Sequence, residues 1–337
     1  MDVRRILLLA PNWVGDAVMS LPVMAALRSF FPETRITVAA RAPVAPLYEG
    51  QPGVSSIIAI TGGLQRWTWF RSLSPKFDLG VALPNSLAAA AGLFLARAKE
   101  RLGYAADGRS LLLTRAVTGR RQLAGLHQVY YYLGILTALG EVSCFTPPQI
   151  TISEQERQAA LELLTTRGVN PGASLVGLAP GAAYGPAKRW PPERFGEVGR
   201  TLASESGAYP ILLGGPGDRN AAAEVLRHFD GQILDLVGQT SLRQALAVLS
   251  HLHLLITNDS GLMHVAAALG VPLIAIFGST DPVATGPFSD RAAVLRQTLS
   301  CSPCFERTCQ TGYSCLTGIT VAAVVEAARP WLKEKDA

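Results

Sequence analysis

The sequence predicts an α/β protein made of two doubly wound, parallel-sheet domains. Three observations lead there. The length of 337 residues suits two domains of roughly 150 residues, each able to bury its own core. Short apolar runs alternate with helix-period segments along the whole chain, the signature of βαβ units rather than of a sandwich. Polar turns follow several of those runs directly, where an open parallel sheet presents its ligand-binding loops. Apolar residues make up 49% and charged residues 16%, with 32 Gly and 22 Pro dispersed, which excludes disorder and low complexity.

Strands are expected in the first half near residues 4–10, 35–39, 56–60 and 78–83. In the second half they are expected near residues 175–179, 210–213, 233–236, 253–257 and 272–277. Between the halves, residues 143–153 contain Pro147-Pro148, which cannot continue a helix and marks a hinge dividing 1–150 from 151–337. No apolar run reaches the ~20 residues that cross a bilayer. Arg4 and Arg5 precede Ile6-Leu7-Leu8-Leu9 in the manner of a signal peptide, but Pro11-Asn12 ends the run and no small-residue cleavage site follows. The start is therefore expected to be a first buried strand of a cytoplasmic protein. No G-x-G-x-x-G follows that strand, and Gly214-Gly215-Pro216-Gly217 lacks both the fingerprint spacing and a Walker Lys, which argues against a dinucleotide-dependent dehydrogenase.

The formal charge of +5 conceals an asymmetry. Residues 1–150 carry 15 Lys and Arg against 8 Asp and Glu, a surplus of +7, whereas residues 151–337 carry 15 against 17, or −2. The basic half is the candidate for meeting an anionic partner, such as a membrane surface, a phosphorylated glycolipid or nucleic acid; a solubilising surface is the plain alternative. Within it, Gln65-Arg66-Trp67-Thr68-Trp69-Phe70-Arg71, with Lys76 nearby, either rests on a headgroup zone or packs its tryptophans into the domain core.

Three junctions between strand and helix carry candidate chemistry. Asp16, in Pro11-Asn12-Trp13-Val14-Gly15-Asp16 after the first strand, either caps the following helix or takes a proton from an acceptor hydroxyl. Residues 180–191 combine Gly181, Ala182, Ala183 and Gly185 with Lys188-Arg189 before a Pro-started helix, which suits a close-lying phosphate. In Asn258-Asp259-Ser260-Gly261-Leu262-Met263-His264, the N–H groups of Ser260, Gly261 and Leu262 open a helix toward a diphosphate. Like charges repel, so Asp259 suits a sugar hydroxyl instead, with helix capping by Asp259 or Ser260 as the other reading. His264, one turn in, is expected to pack.

Of the five cysteines, Cys144 stands alone, while Cys301, Cys304, Cys309 and Cys315 form C-x2-C-x4-C-x5-C. The opening C-x2-C suits a structural metal, but the later spacings match no common zinc module. Reduced thiols packing a loop, a metal, and disulfides remain open in that order. The local shortage of Lys and Arg argues against a nucleic-acid knuckle.

Taken together, Ala10-Pro11-Asn12-Trp13-Val14-Gly15-Asp16-Ala17-Val18-Met19, residues 180–191, Asn258 to His264 with Ala266-Ala267-Ala268-Leu269-Gly270, and Phe277-Gly278-Ser279-Thr280-Asp281-Pro282 resemble the bacterial ADP-heptose:lipopolysaccharide heptosyltransferases. The match runs in order through nearly the whole chain. Cys301-Ser302-Pro303-Cys304-Phe305-Glu306-Arg307-Thr308-Cys309 resembles the tail of the subgroup that extends the first heptose of the inner core. The resemblance implies a GT-B fold, two Rossmann-like domains facing across a cleft. The acceptor would bind residues 1–150 and the nucleotide sugar residues 151–337, with the C-terminal helix packing back on the first domain.

It also implies an inverting glycosyltransferase that moves heptose from ADP-L-glycero-D-manno-heptose onto heptosylated Kdo-lipid A. Asp16 would be the base, Lys188 would neutralise the departing diphosphate and Asp259 would hold the donor sugar. Ser260, Gly261 and Leu262 would give backbone donors to the phosphates, so that neither metal nor cofactor is needed. Some members place hydroxyl residues where this chain has Ala183 and Tyr184, so backbone N–H groups or the Tyr184 hydroxyl would stand in beside Gly181. Asp218 would read the ribose. The implied location is the cytoplasmic face of the inner membrane, peripherally bound, with no nucleic acid. A glycosyltransferase for another sugar or acceptor position is one alternative. A non-catalytic nucleotide-sugar-binding protein stabilised by a cysteine-metal site is the other.

Overall fold

A computed structural model describes residues 2–60, 63, 65–73, 76–106, 108–118, 125–142 and 145–333. Ser143 of the expected hinge and the solitary Cys144 lie outside the described residues. The chain divides into two units, Met1–Thr151 and Ile152–Ala337.

In the first unit, β1 (Arg5–Leu9), β2 (Arg35–Arg41), β3 (Val54–Ile60), β4 (Leu79–Ala82), β5 (Glu100–Tyr104) and β6 (Arg115–Val117) form one sheet in the order β3-β2-β1-β4-β5-β6. The second unit repeats the plan with β7 (Leu175–Ala179), β8 (Tyr209–Leu212), β9 (Leu234–Asp235), β10 (Leu254–Asn258), β11 (Leu273–Phe277) and β12 (Ala292–Arg296), ordered β12-β11-β10-β7-β8-β9. The strand pairs are parallel in both sheets. Each order is that of a Rossmann sheet, with the chain reversing direction across the sheet between β1 and β4 and again between β7 and β10. At such a reversal the two following loops diverge, which opens a crevice at the carboxyl ends of the central strands.

The central strands are legible because both faces are buried: β1, β4, β7, β10 and β11 read as almost unbroken apolar runs with buried side chains. Strands β5, β6 and β12 are additions to the sequence expectation. β5 begins Glu100-Arg101, β6 has three residues, and β12 is a half-buried edge. A charged opening in β5, three residues in β6 and a half-buried edge in β12 leave apolar runs too short or too mixed to signal a strand.

Each sheet holds its own core. In the first, Leu7, Leu9, Phe70, Phe77 and Leu93 pack together, with Trp67 and Trp69 laid partly buried against them. The aromatic-basic segment thus forms a helix, Gln65–Ser72, whose Phe70 is buried and whose tryptophans serve packing. In the second, Trp190 and Phe195 meet edge-on at 5.1 Å among Val176, Leu178, Ile256 and Ile274. The C-terminal helix Val321–Lys333 adds Val324, Val325 and Ala328 to this core and packs on the helix Pro192–Ser206. Residues 151–153 are fixed at both ends. Gln51 exchanges hydrogen bonds with the Thr151 backbone at 2.9 and 3.2 Å. Ser153 then opens the helix Glu154–Thr166 with a capping box closed by Glu156. Among the described residues no helix is long and apolar enough to cross a membrane.

Candidate active site

In the first unit the crevice beside β1 receives Asp16. The helix Val14–Met19 starts immediately after the strand, and Trp13, its N-cap residue, makes no side-chain cap. Asp16 is the third helical residue rather than the cap. It stays half-buried. The Tyr132 hydroxyl donates to Asp16 Oδ1 at 2.8 Å, a charge-assisted contact that fixes the carboxylate. Burial, followed by the Asp16 charge, pushes the Tyr132 hydroxyl well above the usual tyrosine range. Burial likewise raises that of Tyr48, with the same carboxylate adding to it. Both phenols therefore remain protonated and cannot compete with Asp16 for a proton. Trp13 is 58% exposed at the mouth of this loop.

In the second unit the loops after β7, β10 and β11 converge. Asn258, fully buried at the end of β10, accepts from the Trp190 N–H at 3.0 Å and donates to the Pro180 carbonyl at 2.7 Å. This one amide clamps both ends of the 180–190 loop. Sequence reading passed over it, although its signal is an Asn ending an otherwise apolar strand. Within the loop the Arg189 fork donates to the Ala182 carbonyl at 3.0 and 3.1 Å.

The clamp brings Lys188 to Asp259. Their Nζ and Oδ2 atoms lie 2.5 Å apart, with the side chains 13% and 3% exposed. The Thr280 hydroxyl donates to the same Oδ2 at 2.5 Å. Asp259 therefore meets a cation and a hydroxyl donor, and its carboxylate does not cap the helix Gly261–Ala268. Ser260 is the N-cap residue, and it makes no side-chain cap either. The N–H groups of Gly261 and Leu262 thus head a helix to which no capping side chain is bonded, at the carboxyl end of β10. His264 is buried in that helix, as expected for a packing residue.

Gly181 permits a close approach that no other residue would. A Cβ there would lie 2.2 Å from the Asp218 carboxylate, which itself accepts from the Gly215 N–H at 2.9 Å. Asp218 therefore lies against the 180–190 loop and braces the Gly-rich turn. Ala183 is exposed. The Tyr184 hydroxyl donates to the Phe305 carbonyl, while its ring faces Lys188 Nζ at 4.9 Å.

The cysteine segment folds over this region. Ser302 Oγ donates to the Gly278 carbonyl at 2.8 Å, and the Phe305 N–H donates to the Ser279 carbonyl at 2.7 Å. The Ser279 hydroxyl is buried at that seam with no hydrogen-bond partner. Cys301 and Cys304 are exposed, Cys309 is half-buried and Cys315 is buried. Among the described residues, no three Cys, His, Asp or Glu side chains are grouped to hold a metal. The Thr311 hydroxyl, with the amides of Thr311 and Tyr313, holds the Cys309 thiol below its ordinary value, and burial raises that of Cys315.

Comparison with known proteins agrees with this arrangement. The family model described as "Glycosyltransferase family 9 (heptosyltransferase)" matches residues 66–314. The chain belongs to this heptosyltransferase family. It is 32% identical over 309 residues to lipopolysaccharide heptosyltransferase 2 of Escherichia coli K12, covering 87% of this chain and 88% of the relative. It is 31% identical over 308 residues to lipooligosaccharide heptosyltransferase 2 of Haemophilus ducreyi, with the same coverage. Among solved structures, E. coli ADP-heptose lps heptosyltransferase II superimposes with a TM-score of 0.85 at 30% identity, covering 99% of this chain and all of that one. A family 9 glycosyltransferase from Veillonella parvula gives 0.88 at 25% identity, covering 99% of each. The GT-B architecture and the glycosyltransferase activity implied by the sequence motifs thus hold for this family 9 chain.

Proposed function

We propose that this family 9 glycosyltransferase transfers heptose from ADP-L-glycero-D-manno-heptose to the first heptose of the lipopolysaccharide inner core, with inversion at the anomeric carbon. The observation that carries the proposal is the occupancy of the two reversal points: Asp16 follows β1, and the Lys188–Asp259–Thr280 cluster follows β7, β10 and β11. Two relatives above 30% identity that share this length are named heptosyltransferase 2, which supports the acceptor position.

In this reading, residues 1–150 bind the acceptor and residues 151–337 the donor. Asp16, oriented by Tyr132, removes the proton from the acceptor hydroxyl as its oxygen attacks the anomeric carbon. The bond to the diphosphate breaks on the opposite side, and ADP leaves. Lys188 compensates the charge that develops on it, assisted by the Gly261 and Leu262 N–H groups. Asp259, shared between Lys188 and Thr280, accepts from donor sugar hydroxyls when Lys188 turns toward phosphate. The basic surplus of residues 1–150 suits a phosphorylated acceptor at the cytoplasmic face of the inner membrane, with the enzyme bound peripherally.

The test is transfer from ADP-heptose to Kdo-lipid A with and without its first heptose, using wild type and Asp16→Asn. Transfer to the heptosylated acceptor alone, lost in Asp16→Asn while donor affinity stays within about threefold, is expected. Transfer to the unheptosylated acceptor refutes the acceptor position. Full activity in Asp16→Asn refutes the base.

A further inference from the structure

The Lys188–Asp259 pair poses a charge problem. A sugar-linked diphosphate is a dianion and ADP carries still more charge, yet the buried ammonium beside it is already matched by a carboxylate at 2.5 Å. The pair is neutral as a unit. Charge compensation for the diphosphate calls for another cation close by, and the cysteine segment brings one.

Arg307 lies over the Tyr184 ring with Cζ 5.3 Å from the centroid, while Lys188 Nζ lies 4.9 Å from the same centroid. One ring therefore holds both cations, which can be no more than about 10 Å apart. Arg307 is exposed and forms no ion pair among the described residues, so its guanidinium is available to a ligand. Its backbone is held firmly. The Arg307 carbonyl accepts from the Ala187 N–H at 3.0 Å, in the residue before Lys188. It also lies where a Cβ on Gly185 would come within 2.6 Å, so only glycine at 185 admits the approach. Phe305 and Ser302 are bonded to Ser279 and Gly278 of the loop after β11, and Tyr184 is bonded to Phe305. The segment is thus tied to both loops that carry Lys188 and Thr280.

We infer that Arg307 is a donor-binding residue whose guanidinium engages the diphosphate of the nucleotide sugar, with Tyr184 as the platform that holds it beside Lys188. The chemistry fits: a planar guanidinium bonds phosphate oxygens bidentately, and the face of a tyrosine ring attracts it without consuming its N–H donors. The cysteine-bearing segment is then part of the donor site rather than a separate metal module. This inference rests on the donor reading proposed above.

Calorimetric titration of the full chain with ADP and with AMP tests it, using wild type, Arg307→Ala, Arg307→Lys and the neighbouring Glu306→Gln. Arg307→Ala is expected to weaken ADP about tenfold and AMP less than about twofold, with Arg307→Lys between and Glu306→Gln unchanged. The apo melting temperature of Arg307→Ala should match wild type, since Arg307 is bonded into the fold through its backbone carbonyl. Unchanged ADP affinity in Arg307→Ala, or equal weakening of ADP and AMP, overturns the inference. So does a raised KM for a phosphorylated acceptor with ADP affinity intact, which would give the guanidinium to the other substrate. If wild type binds neither nucleotide, the donor reading itself falls and takes this inference with it.

Discussion

Lys188 and Asp259 offer a measurement that separates a functional pair from a decorative one. With Asp259 3% exposed, Lys188→Met leaves a carboxylate out of water with the Thr280 hydroxyl as its remaining side-chain partner. Removing one member of a buried pair costs 3–5 kcal/mol, and the lower end, about 3 kcal/mol, applies because Thr280 stays bonded. Asp259→Leu strands the ammonium, but Lys188 is 13% exposed and its flexible stem can carry the charge outward, so about 2 kcal/mol is expected. In the double variant no charge is stranded. Its loss should not exceed that of Lys188→Met alone, which corresponds to a coupling of about 2 kcal/mol. For a unit of this size, 1 kcal/mol moves the melting temperature by roughly 2–4 °C. Scanning calorimetry at pH 7 should therefore show Lys188→Met melting roughly 6–12 °C below wild type, with the double variant no lower. Strictly additive losses, or a Lys188→Met shift under about 2 °C, would refute the claim that these charges meet in a desolvated site.

Other expectations follow from neighbouring contacts. Tyr132→Phe deletes the hydroxyl that orients Asp16 and should lower kcat about tenfold while donor KM holds; a rise in donor KM alone would contradict that role. Gly181→Ala drives a methyl into the Asp218 carboxylate and should cost about 1–3 kcal/mol and much of the ADP affinity, with partial recovery in Gly181→Ala/Asp218→Gly. Asn258→Ala strands the Trp190 N–H and Pro180 carbonyl, so a loss of about 2–4 kcal/mol is expected in thermal unfolding. Arg243, bonded to Glu156 at 2.5 and 2.6 Å, is the main cause that holds the Glu156 carboxyl down at about 2. Because the folded value is the lower one, the stabilisation is fully present above the unfolded value near 4.3 and fades as pH falls toward 2. Glu156→Gln should thus cost about 1–2 kcal/mol at pH 7, discounted for partial exposure, and nothing measurable near pH 2 in acid titration of stability.

The fold was legible where burial on both faces forces an unbroken apolar run, as in Leu175–Ala179 and Leu254–Asn258. It was illegible at Glu100–Tyr104, which opens on two charges before three buried residues, and at Ala292–Arg296, a half-buried edge built largely of small side chains. The site was legible as three loops because a Rossmann sheet puts ligand chemistry after its strands, so Asp16, Lys188 and Asp259 could be singled out one at a time. What no spacing reveals is pairing. That Lys188 meets Asp259 depends on the Asn258 clamp and the parallel register of β7 and β10, both products of tertiary folding. Arg307 has no spacing signal for the same reason: its segment reads as a cysteine cluster, and only its docking onto Gly185 and Ala187 puts its charge beside Tyr184 and Lys188.

The edges of the two sheets differ in a way that bears on how this chain behaves before folding is complete. At the outer ends, β6 offers three residues and β9 two, too few peptide groups to template a neighbour. Of the other two edges, β12 has five residues ending in Arg296, whereas β3 has seven, Val-Ser-Ser-Ile-Ile-Ala-Ile, with no charge and no proline. An edge of that composition is the place where a second chain adds most readily. Association of incompletely folded chains is therefore expected first along this strand, and a lysine at Ser55 or Ser56, both exposed, should reduce the aggregated fraction on refolding without entering either core.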